Sequence, residues 1–219
     1  FSSILLFLKL FGYVGIYIYS SVAIIAANIQ VLKNVDFFYS PEPVALGTIL
    51  FASTFLCTDI LSEYYDKEKA KKNVLIGFCA FLLMTIFMLI TIGFNPSSRD
   101  WIQNSLSNVF TPMTRFFLAS MIAYLVSQYI DIWIYGLIKK ISSNKYLWIR
   151  NNLSTIFSSL IDNTVFSLFA WILLNPNPET LYNVLMIYIF GTYFIRILIA
   201  IIDTPFLYIT KYFMPKSNE

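Results

Sequence analysis

Apolar residues along this chain come in long blocks, and the polar residues inside the blocks recur at steps of three and four rather than two. Six blocks, roughly 11–32, 44–61, 74–94, 115–137, 152–174 and 181–208, approach the ~20 residues with which a helix crosses a ~30 Å hydrocarbon layer. The last is long enough to tilt or to continue past the bilayer. Connectors are marked by turn formers: YSPEP (39–43), NPSSRD (95–100), SSNK (142–145) and NPNPE (175–179). Residues 101–110 are moderately apolar and predict a short interfacial helix with Trp101 at headgroup level. The expected fold is therefore an all-α integral membrane protein, a bundle of six transmembrane helices forming one domain over 1–219.

Composition agrees with the pattern. Of 219 residues 58% are hydrophobic and 12% charged, which a soluble domain of this size does not need. The first block is too long and too aromatic for a cleaved signal peptide, and no small-residue cleavage site follows it. The chain opens on Phe1 without Met, which leaves open whether residues precede it. Both cysteines, Cys57 and Cys79, sit inside apolar blocks and read, like the methionines, as packing. The absence of histidine removes most proton-relay, metal and triad chemistry, and no cofactor is expected.

Charge supplies an orientation. With the N-terminus inside, Lys9, the run Lys67, Lys69, Lys71 and Lys72, the set Lys139, Lys140, Lys145 and Arg150, and finally Lys211 and Lys216 fall on one side. The other side holds Lys33, Arg99 and Arg115. By the positive-inside rule both termini face the cytoplasm, with the 67–72 run as a topology signal.

Charges inside the blocks are costly there and normally face the bundle interior. In the fifth block Asn152, Thr155, Ser159, Asp162 and Phe166 stack on one helical face. In the fourth, Tyr124, Gln128, Asp131 and Tyr135 do the same. The sixth offers Thr192, Arg196, Ile199 and Asp203; the second ends in Thr58, Asp59, Ser62 and Glu63; the first holds Ser21 and Asn28. Converged, these groups would line one polar cavity. The bland alternative is a buried ion pair of Arg196 with one Asp, plus interhelical hydrogen bonds. A short echo is also visible: SQYIDIWIY (127–135) and SSLIDNTVF (158–166) share Ser and, four residues on, Asp. It reads either as two helices offering equivalent polar faces or as chance in a restricted alphabet.

TDILSEYYDKEKAKKNVLIGF (58–78), with its acidic pair followed by a basic loop, resembles the signature of the queuosine precursor transporter family, also described as a vitamin uptake transporter family. SQYIDIWIY and RNNLSTIFSSLIDNTVF (150–166) resemble its fourth- and fifth-helix motifs, and Asn28, Arg196 and Asp203 with Pro205 are similar to its remaining positions. Ser159 stands where many members carry Gln or Asn, and Asp66 where Gly is common. The resemblance implies uptake of 7-cyano-7-deazaguanine, its aminomethyl relative or queuine across the bacterial inner (plasma) membrane. The inventory suits such a base: a carboxylate accepts both its N1–H and its exocyclic amine, an amide or Arg serves its carbonyl, and aromatics stack on its face. The substrate-binding candidates are Asn28, Asp59, Glu63, Tyr124, Gln128, Asp131, Asn152, Thr155, Ser159, Asp162, Phe166, Arg196 and Asp203. The expected partners are this small molecule and the lipid bilayer; no nucleic acid is expected, and self-association stays open.

Three other classes are weighed. A substrate-binding subunit of an energy-coupling-factor transporter would need separate ATPase subunits, since this chain has no Walker A loop. An intramembrane aspartyl protease would need a Gly-flanked Asp motif, which is absent. A channel would show solute flux that does not saturate.

Overall fold

The computed structural model describes residues 1–36 and 44–214; the side chains of 112–115 and the predicted 39–43 turn lie outside that description. Among the described residues the chain folds as helices α1 Ser2–Phe11, α2 Tyr13–Gln30, α3 Gly47–Tyr64, α4 Lys67–Gly93, α5 Gln103–Ile141 and α6 Leu147–Ser167. The last of these winds on as π-helix over Leu168–Leu173. A single turn, α7 Leu181–Asn183, runs through a second π-helical stretch, Val184–Phe190, into α8 Gly191–Ile209. A two-residue antiparallel ribbon, β1 Asn34–Val35 with β2 Val44–Ala45, joins α2 to α3.

Five helical stretches are long and apolar enough to cross a membrane: Tyr13–Gln30, Lys67–Gly93, Phe116–Ile141, Leu147–Leu173 and Leu181–Tyr212. The block predicted at 44–61 is also a helix, α3, but it does not meet that standard by composition. The reason lies in its position. Helix α3 packs against α2, α4, α5, α6 and α8, and is buried at Gly47, Thr48 and every residue from Ala52 to Leu61. A helix shielded on all sides can carry Thr54, Thr58 and Asp59 where a lipid-facing one cannot.

The predicted interfacial helix at 101–110 is not a separate element. Asp100 Oδ1 accepts from the backbone N–H groups of Ile102 and Gln103 at 2.8 and 2.9 Å, which starts α5 at once. The helix then runs 39 residues to Ile141, about 58 Å at 1.5 Å per residue, well beyond a hydrocarbon layer. At the other end of the sequence, residues 2–11 form their own helix. Gly12, at φ 61° and ψ −147°, separates it from α2 in a conformation an L-residue adopts poorly.

The bundle is polar inside and apolar outside. Helix α6 buries Asn151, Ser154, Thr155, Ser158, Ser159, Asp162 and Asn163 while exposing Leu153 and Phe157. Helix α4 exposes Leu75, Leu83, Phe87 and Ile90. A conventional apolar core survives where α1, α2, α3 and α4 meet, around Ile4, Leu8, Ile24, Leu56, Ile60 and Phe81.

The basic connectors gather at one end. Tyr17 donates to the carbonyl of Lys69 (3.2 Å), Tyr64 to that of Leu207 (2.8 Å), and Lys139 to those of Ser62 and Glu63 (3.3 Å each). The β ribbon marks the opposite end, where Leu46 N–H donates to the carbonyl of Lys33 (2.8 Å).

Helices α2 and α3 approach closely at Gly47, where a Cβ would lie 2.1 Å from the Ala27 carbonyl oxygen and 2.8 Å from the Val31 nitrogen. Gly47→Ala is expected to push the helices apart at a cost of about 1–3 kcal/mol. This would be read as a lower thermal midpoint in detergent. Gly93→Ala, with nothing within 4 Å of the new methyl, should leave the midpoint unchanged or slightly higher; equal effects of the two would refute the close-packing account.

Candidate functional site

A cavity of about 370 Å³ lies between α2, α3, α5, α6 and α8 at the ribbon end of the bundle. It is within the ~300–1,000 Å³ range of small-molecule pockets. Four of the sequence candidates line it: Asn28, Asp162, Phe166 and Arg196.

Its polar wall is an ion pair. Arg196 Nη1 donates to Asp162 Oδ2 at 2.6 Å, and Ser127 Oγ donates to Asp162 Oδ1 at 3.1 Å. The pair is nearly inaccessible, with side chains 8% and 4% exposed, so it is screened little by water. The guanidinium sits 5.9 Å from the centre of the Phe51 ring, and its Nε–H has no hydrogen-bond partner. The neighbouring Asn163 donates to Thr192 Oγ1 (2.7 Å) and to the carbonyl of Ile189 (2.9 Å), holding α8 against α6.

The cavity is also lined by aromatic rings. Trp171 and Tyr188 stack at 4.4 Å with an 18° interplanar angle, and Phe116 meets Trp171 edge-on at 5.4 Å. Trp171 and Tyr188 sit on the two π-helical stretches, which turn both rings to the cavity. Sequence reasoning missed Phe51, Phe116, Asn163, Trp171 and Tyr188. Asn163 was detectable, as the amide beside Asp162. Trp171 and Tyr188 were not, because a π-helix shifts side chains off the 3.6-residue period on which a sequence reading relies.

The remaining candidates lie elsewhere. Asp59, Asp131 and Asp203 meet deeper in the bundle, and all three are buried. Asp131 accepts from Ser158 (2.8 Å), Asp59 from Thr155 (3.5 Å) and Asp203 from Asn151 (2.9 Å). Gln128 ties Thr54 (2.9 Å) to Thr58 (3.2 Å) on α3. Tyr124 packs edge-on to Phe51 and faces Gly77 of α4. Asn152 reaches Thr204 (2.7 Å), and the hydroxyl of Ser159 bonds the Ile156 carbonyl of its own helix (3.1 Å).

Glu63 is at the basic end. Arg150 grips it through Nη2 (2.5 Å) and Nε (3.0 Å), Tyr135 donates at 2.9 Å, and Lys139 stands 3.1 Å away. Arg150 also donates to the carbonyls of Asn144 and Lys145, so one side chain locks α3, α6 and the 142–145 turn together. Counted by sequence as a loop cation, Arg150 is in fact buried.

The Ser/Asp echo acquires a structural meaning. Ser127 of the first copy donates to Asp162 of the second, and Ser158 of the second donates to Asp131 of the first. In each copy the two residues are one helical turn apart, so α5 and α6 are joined by a reciprocal pair of hydrogen bonds.

These features define a multi-pass helical membrane protein with a cavity at one end and a buried ion-pair cluster at the other. The chain belongs to the vitamin uptake transporter family: the family model described as "Putative vitamin uptake transporter" matches residues 45–210. It is a transporter rather than an enzyme. A Bacillus subtilis (strain 168) protein named "Probable queuosine precursor transporter" is 34% identical over 217 residues, covering 99% of this chain and 92% of the relative. A Haemophilus influenzae protein of the same name is 27% identical over 120 residues, 55% of this chain and 48% of the relative. No solved structure matches the chain.

Removing Arg196 leaves Asp162 charged and unpaired in a low dielectric, at a typical cost of 3–5 kcal/mol. Arg196→Ala is therefore expected to lower both folded yield and thermal midpoint in detergent. Adding Asp162→Asn to Arg196→Ala should restore part of the loss, since the neutral amide needs no cation. Wild-type stability of Arg196→Ala alone would show that the pair is solvated.

Proposed function

We propose that this chain takes up 7-deazaguanine precursors of queuosine, such as 7-cyano-7-deazaguanine, its aminomethyl relative or queuine, and binds the base in the cavity at Asp162 and Arg196. The observation that carries the reading is a cavity lined by both a carboxylate–guanidinium pair and stacked aromatic rings. A guanine-like edge presents two donors, N1–H and the 2-amino group, beside one acceptor, the carbonyl oxygen. Each carboxylate oxygen of Asp162 has a lone pair beyond the one it uses toward Arg196 or Ser127, and so can accept from that edge. The free Nε–H of Arg196 is the matching donor for the carbonyl. Asn28, whose amide N–H bonds the Ile24 carbonyl (2.9 Å), retains an oxygen for a further donor. Phe166, Trp171 and Tyr188 supply faces for stacking. The names of the two relatives give the same substrate class.

In this reading α3 is the sixth crossing. Its 18 residues span about 27 Å and are lipid-shielded by their neighbours. The basic end, with both termini, faces the cytoplasm, so the cavity lies toward the outside and Glu63 with Arg150 closes the inner end.

Asp162→Asn keeps the shape but puts a donor where the ligand also donates, and a site built to pair polar groups rejects such a mismatch strongly. Uptake efficiency for 7-cyano-7-deazaguanine, scored as queuosine in the tRNA of a host lacking synthesis and its own transporter, should fall on the order of 10²-fold. Adenine, which lacks the N1–H and the 2-amino group, should compete poorly with the wild type. Near-normal uptake by Asp162→Asn would place the acceptor on another helix.

For orientation, a cysteine placed within 67–72, in the first turns of α4, in a Cys79→Ala background should react only with membrane-permeant reagents in intact cells. Cys57 is buried and contributes little background. Labelling by an impermeant reagent would reverse the topology.

A further inference from the structure

Three buried carboxylates have no cation. The five ion pairs among the described residues commit Arg196 to Asp162, Arg150 and Lys139 to Glu63, and two surface lysines to Asp66 and Glu68. None reaches Asp59, Asp131 or Asp203. Asp59 and Asp131 lie within hydrogen-bonding reach of one another, where two negative charges would repel strongly.

The unsatisfied atoms around them say what is missing. Asp59 Oδ1, Asp203 Oδ2 and Asn151 Oδ1 are all buried and without a hydrogen-bond partner. All three are acceptors. Asn151 already gives its Nδ2–H to Asp203 Oδ1 at 2.9 Å. A proton on Asp203 Oδ2 would let the acid donate in turn to Asn151 Oδ1, closing a two-bond acid–amide ring. A proton between Asp59 and Asp131 would turn their contact into a hydrogen bond. Among the described residues no group of acids, cysteines or histidines is arranged to hold a metal ion, so the fitting ligand is the proton itself.

The surroundings are defined on every side. From α5 come Asp131 and Tyr135, from α8 Asp203 and, two turns away, Arg196, and from α6 Arg150 and Asp162. Glu63 follows Asp59 by one turn on α3. Each cation in this set already has its own carboxylate. Helix α2 packs on another face of α3, where Ser20 meets Cys57.

We propose that Asp59, Asp131 and Asp203 form a proton-binding site, distinct from the cavity, that drives solute accumulation by proton symport. The proposal rests on the uptake reading above. Protons from the outer solution would convert the carboxylates to neutral acids and leave to the inner solution, so no other reactant is needed. Coupling to the solute runs through the reciprocal bonds between α5 and α6: Ser158 holds Asp131 and is one turn from Asp162, while Ser127 holds Asp162 and is one turn from Asp131. Loading either carboxylate therefore acts on the same two helices.

The test uses the purified full chain in proteoliposomes with 7-cyano-7-deazaguanine, wild type beside Asp203→Asn and Asp59→Asn. With the interior alkaline, the wild type should accumulate the base above its outside concentration, and a protonophore should abolish this. The two variants should retain exchange counterflow within about threefold, yet lose gradient-driven accumulation by tenfold or more. In detergent, adding the base should change the pH of a weakly buffered wild-type solution, and this change should vanish in Asp203→Asn. Counterflow without any response to the proton gradient in the wild type would overturn the coupling and leave the uptake reading standing. Absence of wild-type counterflow would remove both. Should a variant fail to fold, the wild-type gradient and pH measurements decide alone.

Discussion

The carboxylate of Asp162 is held from two directions, by Arg196 of α8 and by Ser127 of α5, and much of the bundle takes its arrangement from that fact. A charge in the hydrocarbon region is tolerated only with a partner and with its hydrogen bonds filled. Those partners sit on two other helices, so satisfying one side chain fixes α5, α6 and α8 relative to one another. Asn163, the next residue, adds two bonds to α8 and its preceding π-helical stretch. The cavity lies beside this junction, lined by the charged pair and by aromatic rings.

Such a structure inverts the usual economy of a soluble fold. Little hydrophobic force draws helices together inside lipid, because lipid chains are as apolar as leucine. Contacts that distinguish one packing from another must then be polar, and here α6 buries a nearly continuous file of Ser, Thr, Asn and Asp. Helix α3 is the other consequence. It lies in the middle of the bundle and lacks the apolar stretch of a lipid-facing span, so it depends on its neighbours as much as they depend on the groups it offers. The two ends also differ in kind. At the basic end Glu63 is gripped by two cations and a tyrosine, which draws α3, α5 and α6 tightly together. At the ribbon end Trp171 and Tyr188 stack on one another and line the cavity.

What the sequence revealed follows the same physics. Long apolar blocks and their turn-forming connectors were legible because chain length against bilayer thickness is a coarse constraint. The burial of Asp162, Asp131 and Arg196 was legible because charges at that depth have few alternatives. Their sorting into a cavity, a deep acidic group and a basic-end closure was not. A helical face fixes direction but not depth, and Glu63, Asp131 and Asp162 all point inward at different levels. The separate helix at 101–110 failed because Trp101 suggested an interface, whereas Asp100 caps the first turn of α5 and lets it run on. Trp171 and Tyr188 were hidden by the π-helical windings that aim them.

The two Ser-Asp copies show how neighbours, rather than motif, set chemistry. On antiparallel helices the same spacing places each serine against the other copy's aspartate, so the local geometry is shared. Beyond that the environments diverge. Asp162 looks toward α8, where position 196 is Arg, and toward open space. Asp131 looks toward α3, where the facing groups are Thr58 and another acid, Asp59. One carboxylate thereby has a guanidinium at its side. The other has hydroxyls and an acid as neighbours and no cation among the described residues. A duplicated hydrogen-bonding pattern thus yields two unlike sites a few turns apart, and the difference is written in the side chains of α3 and α8.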